Sequence, residues 1–241
     1  ILDAEIAQGF GLFENQIVIQ VHTGSRGLGH QVCDDYVHSM IATAGRQGIV
    51  LPDRQLACAY LESAEAKAYL AAMAAAANFA FANRSLITFF IRQTFERIFG
   101  KSSERLGMDL LYDCCHNIAK IERVSWEGRQ IEVCVHRKGA TRALLPGDPR
   151  LPERYRATGQ PVLVPGDMGR ASYILAGGTG AHETFLSACH GAGRLLSRSM
   201  AKQRAKGRSI LDELKRRDIH AMAASRAMLA EEMPEAYKDV S

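Results

Sequence analysis

Residues 16–29 read QIVIQVHTGSRGLG. The first half alternates and is rich in β-branched side chains, which predicts a strand over 16–22. The glycines of Thr23–Gly29 predict a loop, and a helix is expected from about His30. Working outward, Ala, Leu, Glu and Lys dominate from Pro52-Asp53 to Phe99. That composition predicts a helix-rich insert over about 53–99, which Asn83-Arg84-Ser85 is expected to break in two. From Leu111 the texture changes. LLYDCCHNIAKIE (110–122), RQIEVCVHRKG (129–139), PVLVPGDMG (161–169) and ASYILAGG (171–178) are β-prone runs bounded by Gly, Pro and Asp. They predict strands joined by functional loops. GAGRLLSRSMAKQRAKG (191–207) returns to a helical pattern, and a basic helix is expected over about 191–217, with His190, Arg194, Arg198 and Lys202 four apart along one face. The fold class implied is α+β.

Composition narrows the function classes. With 241 residues, 47% hydrophobic and 23% charged, the chain has enough apolar material for a core, which excludes disordered and collagen-like classes. No internal period repeats. The longest uncharged stretch lies between Lys67 and Arg84 and is mostly alanine, so no bilayer-spanning segment is expected. Ile1 carries no initiator Met and no leader pattern follows it, so a fragment without a targeting signal is expected. The cysteines Cys33, Cys58, Cys114, Cys115, Cys134 and Cys189 form no CxxC pair, which favours reduced thiols and a cytoplasmic location. Residues 190–217 hold nine Lys/Arg against two Asp/Glu, a surplus of +7 that leaves the remainder at −3 and points to an anionic partner.

Glycine loops and histidines carry the candidate chemistry. The Val21–Gly29 loop suggests a phosphate-binding turn, but it lacks the GxGxxG spacing and no Tyr has a Lys four residues later, which weighs against hydride transfer. His22, His116, His136 and His190 stand beside glycine-rich or polar loops. Imidazole is both a metal ligand and a nucleophile near neutral pH. Any one of them taken alone fits a hydrogen-bonded structural role more readily, and His30, His38, His182 and His220 stay in that class. His190 precedes small residues and Arg194 and Arg198, a context that suits phosphoryl chemistry, although Gly191 and Gly193 also fit a plain strand-to-helix turn. Pro165-Gly166, Met168-Gly169 and Ser172 form a turn that can read a purine or sugar. Arg26, Lys138 and Arg142 fit a groove that tracks a nucleic-acid backbone, and equally an ordinary surface.

Read together, HTGSRGLGHQV (22–32), YDCCHNIAK (112–120), HRKGATRA (136–143), VPGDMGRASYI (164–174), CHGAGRLLSR (189–198) and EAYKDV (235–240) closely resemble the RtcB family of RNA-splicing ligases. The blocks cover most of the chain in family order. The resemblance implies one partial catalytic domain over 1–241, with mixed sheets and flanking helices and with nucleotide- and metal-site segments at about 16–30 and 111–193. It implies a GTP- and Mn2+-dependent ligase that joins RNA 3′-phosphate or 2′,3′-cyclic phosphate ends to 5′-hydroxyl ends, in tRNA splicing or RNA repair, with room for an activating protein. On it, His190 is the guanylylated nucleophile, and His22 and His116 are metal ligands. His116, Asn117, Pro165, Gly166, Asp167, Met168, Ser172, His190, Gly191, Ala192 and Gly193 hold the guanine nucleotide. Arg26, Lys138 and Arg198 are the candidates for RNA phosphates.

The chain also departs from the family pattern. The other ligands of a two-metal site, an Asp, a bridging Cys and the His of an Asn-His-Phe block, are expected upstream of Ile1, and a guanine-contacting Lys beyond Ser241. Asp167 stands where many members carry Ser, so its charge is expected to need a compensating partner. Two other readings stay open: a metal-dependent phosphodiesterase, and a catalytically incomplete RNA-binding module.

Overall fold

A computed structural model describes residues 1–239; Val240, which ends the EAYKDV block, and Ser241 lie outside the described residues. In chain order the elements are α1 (Ala4–Gly9), α2 (Gly27–Arg46), α3 (Ala64–Phe99), β1 (Asn117–Trp126), β2 (Arg129–Lys138), β3 (Ala140–Arg142), β4 (Pro161–Val164), β5 (Tyr173–Ala176), β6 (Ser187–Cys189), α4 (Arg198–Arg204), α5 (Ile210–Lys215) and α6 (Arg226–Glu231). The sheets are two-stranded, β1 with β2, β3 with β6 and β4 with β5. Helices and small sheets together make the chain α+β, as expected. It divides into two compact units, one of Ile1–Glu14 with Arg137–Ser241 and the other of Asn15–His136.

The Asn15–His136 unit is built on a helical hairpin. Ser25 Oγ accepts from Gly29 N–H at 3.1 Å and so satisfies one of the amides that the first turn of α2 leaves without a helical acceptor. Ser63 caps α3 by accepting from Ala66 N–H, and Gly100 ends it in the left-handed conformation. Met40, Thr43 and Ala44 of α2 and Ala66, Ala76 and Ala80 of α3 are buried. Arg46 and Glu65 pair at 2.7 Å across the hairpin. β1 and β2 join through Glu127 and Gly128, both at positive φ, the backbone of a tight two-residue turn. Ala119 N–H points at Met73 Sδ at 3.3 Å, tying β1 to α3.

Two expectations fail here. QIVIQVH carries no regular secondary structure, and Ile17, Val18 and Ile19 are 86%, 61% and 47% exposed, because strand propensity does not supply a pairing partner. α3 runs unbroken through Asn83-Arg84-Ser85, since the side chains of Asn83 and Arg84 bond outward, to Gly24 O and Thr23 O, instead of competing for the helix backbone. α3 is also long and apolar enough to cross a membrane by length and composition, which the short 67–84 interval had not suggested.

In the second unit, α1 leads to Phe10, whose ring meets Tyr155 edge-on at 5.6 Å. β3 and β6 are antiparallel with Ala140 opposite Cys189, and β4 and β5 are antiparallel with Val164 opposite Tyr173. The expected basic helix over 191–217 is instead α4 and α5. Gly193 is at positive φ, Arg194 forms a β-bridge with Tyr237, and Ser197 caps the helix only at that point. His190 and Arg194 are therefore not helical, and only Arg198 and Lys202 share the expected face. Ala201, Ala205, Ile210, Leu214, Leu229, Met233 and Ala236 form the core of this helical cluster.

Arg208 holds that cluster from its rim, bonding Glu213 at 2.9 and 2.6 Å and Glu235 at 2.6 Å. The Arg208 hydrogen bond lowers the pKa of Glu213, and the Lys202 hydrogen bond lowers that of Glu231. For Glu235 burial pushes upward, but the Arg208 bond and charge outweigh it. All three folded pKa values lie below the ordinary 4.5, so their stabilisation is full above that pH and is lost as pH falls through the lowered values. Thermal unfolding from about pH 7 to about pH 3 should show the midpoint dropping below about pH 4.5, and Arg208→Ala should flatten that drop.

Candidate functional site

Each unit positions its own share of the candidate residues. In the Asn15–His136 unit, the loop after Gln20 carries His22, and the segment before β1 carries His116. Their Nε2 atoms stand 3.0 Å apart, with the rings edge-on at 5.1 Å and 81°. Two imidazole nitrogens about 2.0–2.1 Å from one divalent cation, on adjacent coordination positions, lie about 2.9–3.3 Å from each other. The same spacing also serves a hydrogen bond between complementary tautomers. The donor set fits a borderline cation: two ring nitrogens 3.0 Å apart, with His22 exposed and His116 half-buried. Asn117 follows at the first residue of β1, exposed. Arg26 lies in the same unit, exposed before α2, at φ 55° and ψ −135°.

The second unit brings together most of the residues assigned to the nucleotide. β6 delivers His190, whose backbone N–H donates to Gly139 O at 3.2 Å, continuing the β3–β6 ladder by one residue. Gly139 is at φ +68°, and a Cβ there would stand 3.5 Å from Cδ2 of the His190 ring. The turn that follows docks on the β4–β5 connection: Ala192 N–H donates to Pro165 O at 3.3 Å, and Lys238 N–H to Gly193 O at 3.0 Å. Within that connection, Gly166 N–H donates to Ser172 Oγ at 3.2 Å. A Cβ on Gly166 would lie 2.1 Å from Ala171 O, so the two ends of the loop approach each other only because this residue is glycine. Met168 packs on the helical core. Pro165, Gly166, Met168, Ser172 and His190 to Gly193 thus share one neighbourhood, while His116 and Asn117 belong to the other unit.

Asp167 has the compensating partner its charge requires. Its side chain is fully buried, accepting from Gly169 N–H at 2.7 Å and from Arg170 Nη1 at 2.6 Å. The Asp167 hydrogen bond raises the Arg170 pKa, and Asp239 lies 3.3 Å from Arg170 Nε. With both oxygens engaged, Asp167 shapes the loop. Arg170, three residues downstream, was not singled out from sequence, although an i,i+3 Asp-Arg pair in a glycine-rich turn is a readable signal.

Part of the basic surplus of 190–217 is paired inside its unit, where Arg194, Arg198, Lys202 and Arg208 meet carboxylates. Arg194 stacks on Tyr237 at 4.8 Å and donates to Tyr237 Oη, Glu232 and the carbonyls of Leu196 and Glu231. Burial, then the Glu232 hydrogen bond and charge, push the Tyr237 phenol up to about 12, so it stays a donor to Glu232. The expectation that Arg194 balances a bound phosphate is therefore replaced by a structural role. Arg198, 71% exposed, reaches Glu231 only at 3.5 Å and keeps its reach for an anion, as does the exposed Lys138 at the end of β2. His30 and His38 bond Asp34 on α2. Sequence reasoning passed over Arg84 and Asp113, a half-buried pair at 2.6 Å. The signal was a charged residue inside an alanine-rich helix, which was read as a break.

A protein-family model described as tRNA-splicing ligase RtcB matches residues 1–241. Among curated proteins, the tRNA-splicing ligase RtcB of Pyrococcus furiosus is 53% identical over all of this chain, which covers 25% of that protein. Those of Thermococcus kodakarensis and Archaeoglobus fulgidus are 51% and 49% identical over 100% and 99% of the chain, covering 50% of each. The chain thus spans between a quarter and a half of the length of these relatives.

Proposed function

Since the chain belongs to the tRNA-splicing ligase RtcB family, we propose that it forms part of an RNA ligase that uses GTP and Mn2+ and passes through a guanylylated His190. The substrates of this reading are RNA ends, a 3′-phosphate or 2′,3′-cyclic phosphate joined to a 5′-hydroxyl, in the cytoplasm, where its free cysteines stay reduced. The observation that carries the metal half is the opposed Nε2 pair of His22 and His116 at 3.0 Å. When bound there, a divalent cation supplies positive charge against phosphate oxygens.

The chain's own residues account for the steps. A neutral ring nitrogen of His190 attacks the α-phosphorus of GTP; the N–P bond forms as the bond to pyrophosphate breaks, and the ring sheds its proton. The small side chains of Gly191 and Ala192 and the opening at Gly193 leave room for that phosphorus. Pro165, Gly166, Met168 and Ser172 hold the guanosine, on a loop whose shape Asp167 and Arg170 maintain. An oxygen of the RNA 3′-phosphate then takes GMP from the imidazole, restoring it, and the 5′-hydroxyl displaces GMP with loss of its proton. A cyclic end is opened by water first. Arg26, Lys138 and Arg198 are placed on this reading as RNA-phosphate contacts, with Asn117 beside the nucleotide.

The test is ligation, by the complete protein that contains this chain, of a 3′-phosphate RNA to a 5′-hydroxyl RNA, with Mn2+ and with or without GTP. Product should require GTP and lose at least about 10²-fold when His22 is alanine, as expected for loss of a metal ligand. RNA cleavage that proceeds equally without GTP would replace the ligase with a phosphodiesterase. Salt-sensitive RNA binding with neither reaction would leave a binding module.

A further inference from the structure

We propose that Arg84 is a positioning residue that sets the His22–His116 pair by tying the segment bearing each histidine to the middle of α3. The proposal rests on reading that pair as a metal-holding one. Neither segment belongs to a helix or strand. Arg84 reaches both from a rigid helix: Nη1 donates to Thr23 O at 3.2 Å, next to His22. Nε donates to Asp113 Oδ1 at 2.6 Å, and Nη2 points at Cys115 Sγ at 3.9 Å, next to His116.

The guanidinium is suited to this because its donors diverge in a fixed plane, so one side chain can meet acceptors on two separate stretches of chain. Its placement is well defined. Arg84 is 8% exposed, and its guanidinium lies 4.5 Å over the Phe81 ring one turn earlier. Asn83 strengthens the first tie by donating to Gly24 O at 2.9 Å. Asp113 offsets the buried charge at 2.6 Å, which leaves the remaining N–H groups for the two histidine-bearing segments. Ligand orientation by such outer contacts commonly governs metal affinity.

Mn2+ titration of the complete protein that contains this chain, followed by calorimetry and by the imidazole nitrogen couplings in pulsed EPR, tests it. Arg84→Ala should weaken Mn2+ binding by about 10–100-fold and alter the nitrogen couplings. Arg84→Lys keeps the charge but cannot span the acceptors, and should lose about 10-fold; it carries the test if the alanine variant does not fold. Arg92→Ala is the control for general damage to α3, because Arg92, two turns further along, bonds Met108 O and should leave Mn2+ affinity unchanged. Wild-type affinity in Arg84→Lys, or an equal loss in Arg92→Ala, overturns the proposal. His22→Ala separates the two levels. If it binds Mn2+ like the wild type, the metal reading itself fails; if it loses Mn2+ while both Arg84 variants do not, only the positioning role fails.

Discussion

With His190 replaced by alanine, the complete protein that contains this chain, incubated with Mn2+ and GTP labelled at the α-phosphorus, should retain no acid-labile radioactivity, a drop of at least about 10³-fold. On the proposed reading the substitution removes the attacking nitrogen, while the backbone hydrogen bond from residue 190 N–H to Gly139 O survives the change. Cys189 is the nearest alternative nucleophile in sequence, but strand alternation on β6 turns its side chain to the opposite face. Unchanged circular dichroism alongside lost labelling separates chemistry from folding. An adduct of wild-type yield in His190→Ala would transfer the nucleophile to another residue and sink the assignment.

A second large effect is expected from Gly166→Ala. The added methyl would stand 2.1 Å from Ala171 O and 3.0 Å from Ala171 C, both backbone atoms that no rotamer change can move aside. Relieving the clash requires the β4–β5 connection to open, which also parts Gly166 N–H from Ser172 Oγ. Overpacking of this kind costs about 3 kcal/mol, which for a chain of this size lowers the unfolding midpoint by about 6–12 °C. Labelling by GTP should fall in parallel, since the loop that receives Ala192 through Pro165 O is the one displaced. A midpoint within about 2 °C of the wild type would show that the loop is not held closed as described.

The parts of the fold that could be read from sequence are those decided by neighbours a few residues away. PVLV and YILA are β-prone runs bounded by Pro and Gly, and both are strands of one antiparallel pair. RQIEVCVHRK is β2 with its boundaries nearly intact. What distant groups decide was not legible. QIVIQVH has the propensity of a strand but pairing belongs to a partner, and Asn83-Arg84 remain helical because Thr23, Gly24 and Asp113 receive their side chains. The pattern over 191–217 satisfies helix periodicity, yet the bridge from Arg194 to Tyr237 and the cap at Ser197 withhold its first turns.

At the candidate site the same division holds. The sequence blocks pointed to His22, His116 and the segments around Pro165 and His190, and the structure supports two local groupings: the imidazole pair in one unit and the docked loops in the other. The residues that hold those groups in place were missed, because Arg84, Arg170 and Asp113 are ordinary charged residues until their acceptors are known. Asp167 shows the limit most directly: its need for a cation could be stated from sequence, but not that a neighbour three positions on would supply it.

The backbone at position 139 has a consequence at the level of the codon. Every missense change of a glycine codon adds a Cβ, and here that atom would face the edge of the His190 ring at 3.5 Å while the chain holds φ at +68°. Asparagine or aspartate would bear the dihedral at the least strain among the side chains. Missense drift at this codon is therefore opposed first by the left-handed backbone dihedral, which L side chains adopt only under strain, and the added contact with the imidazole is the lesser constraint.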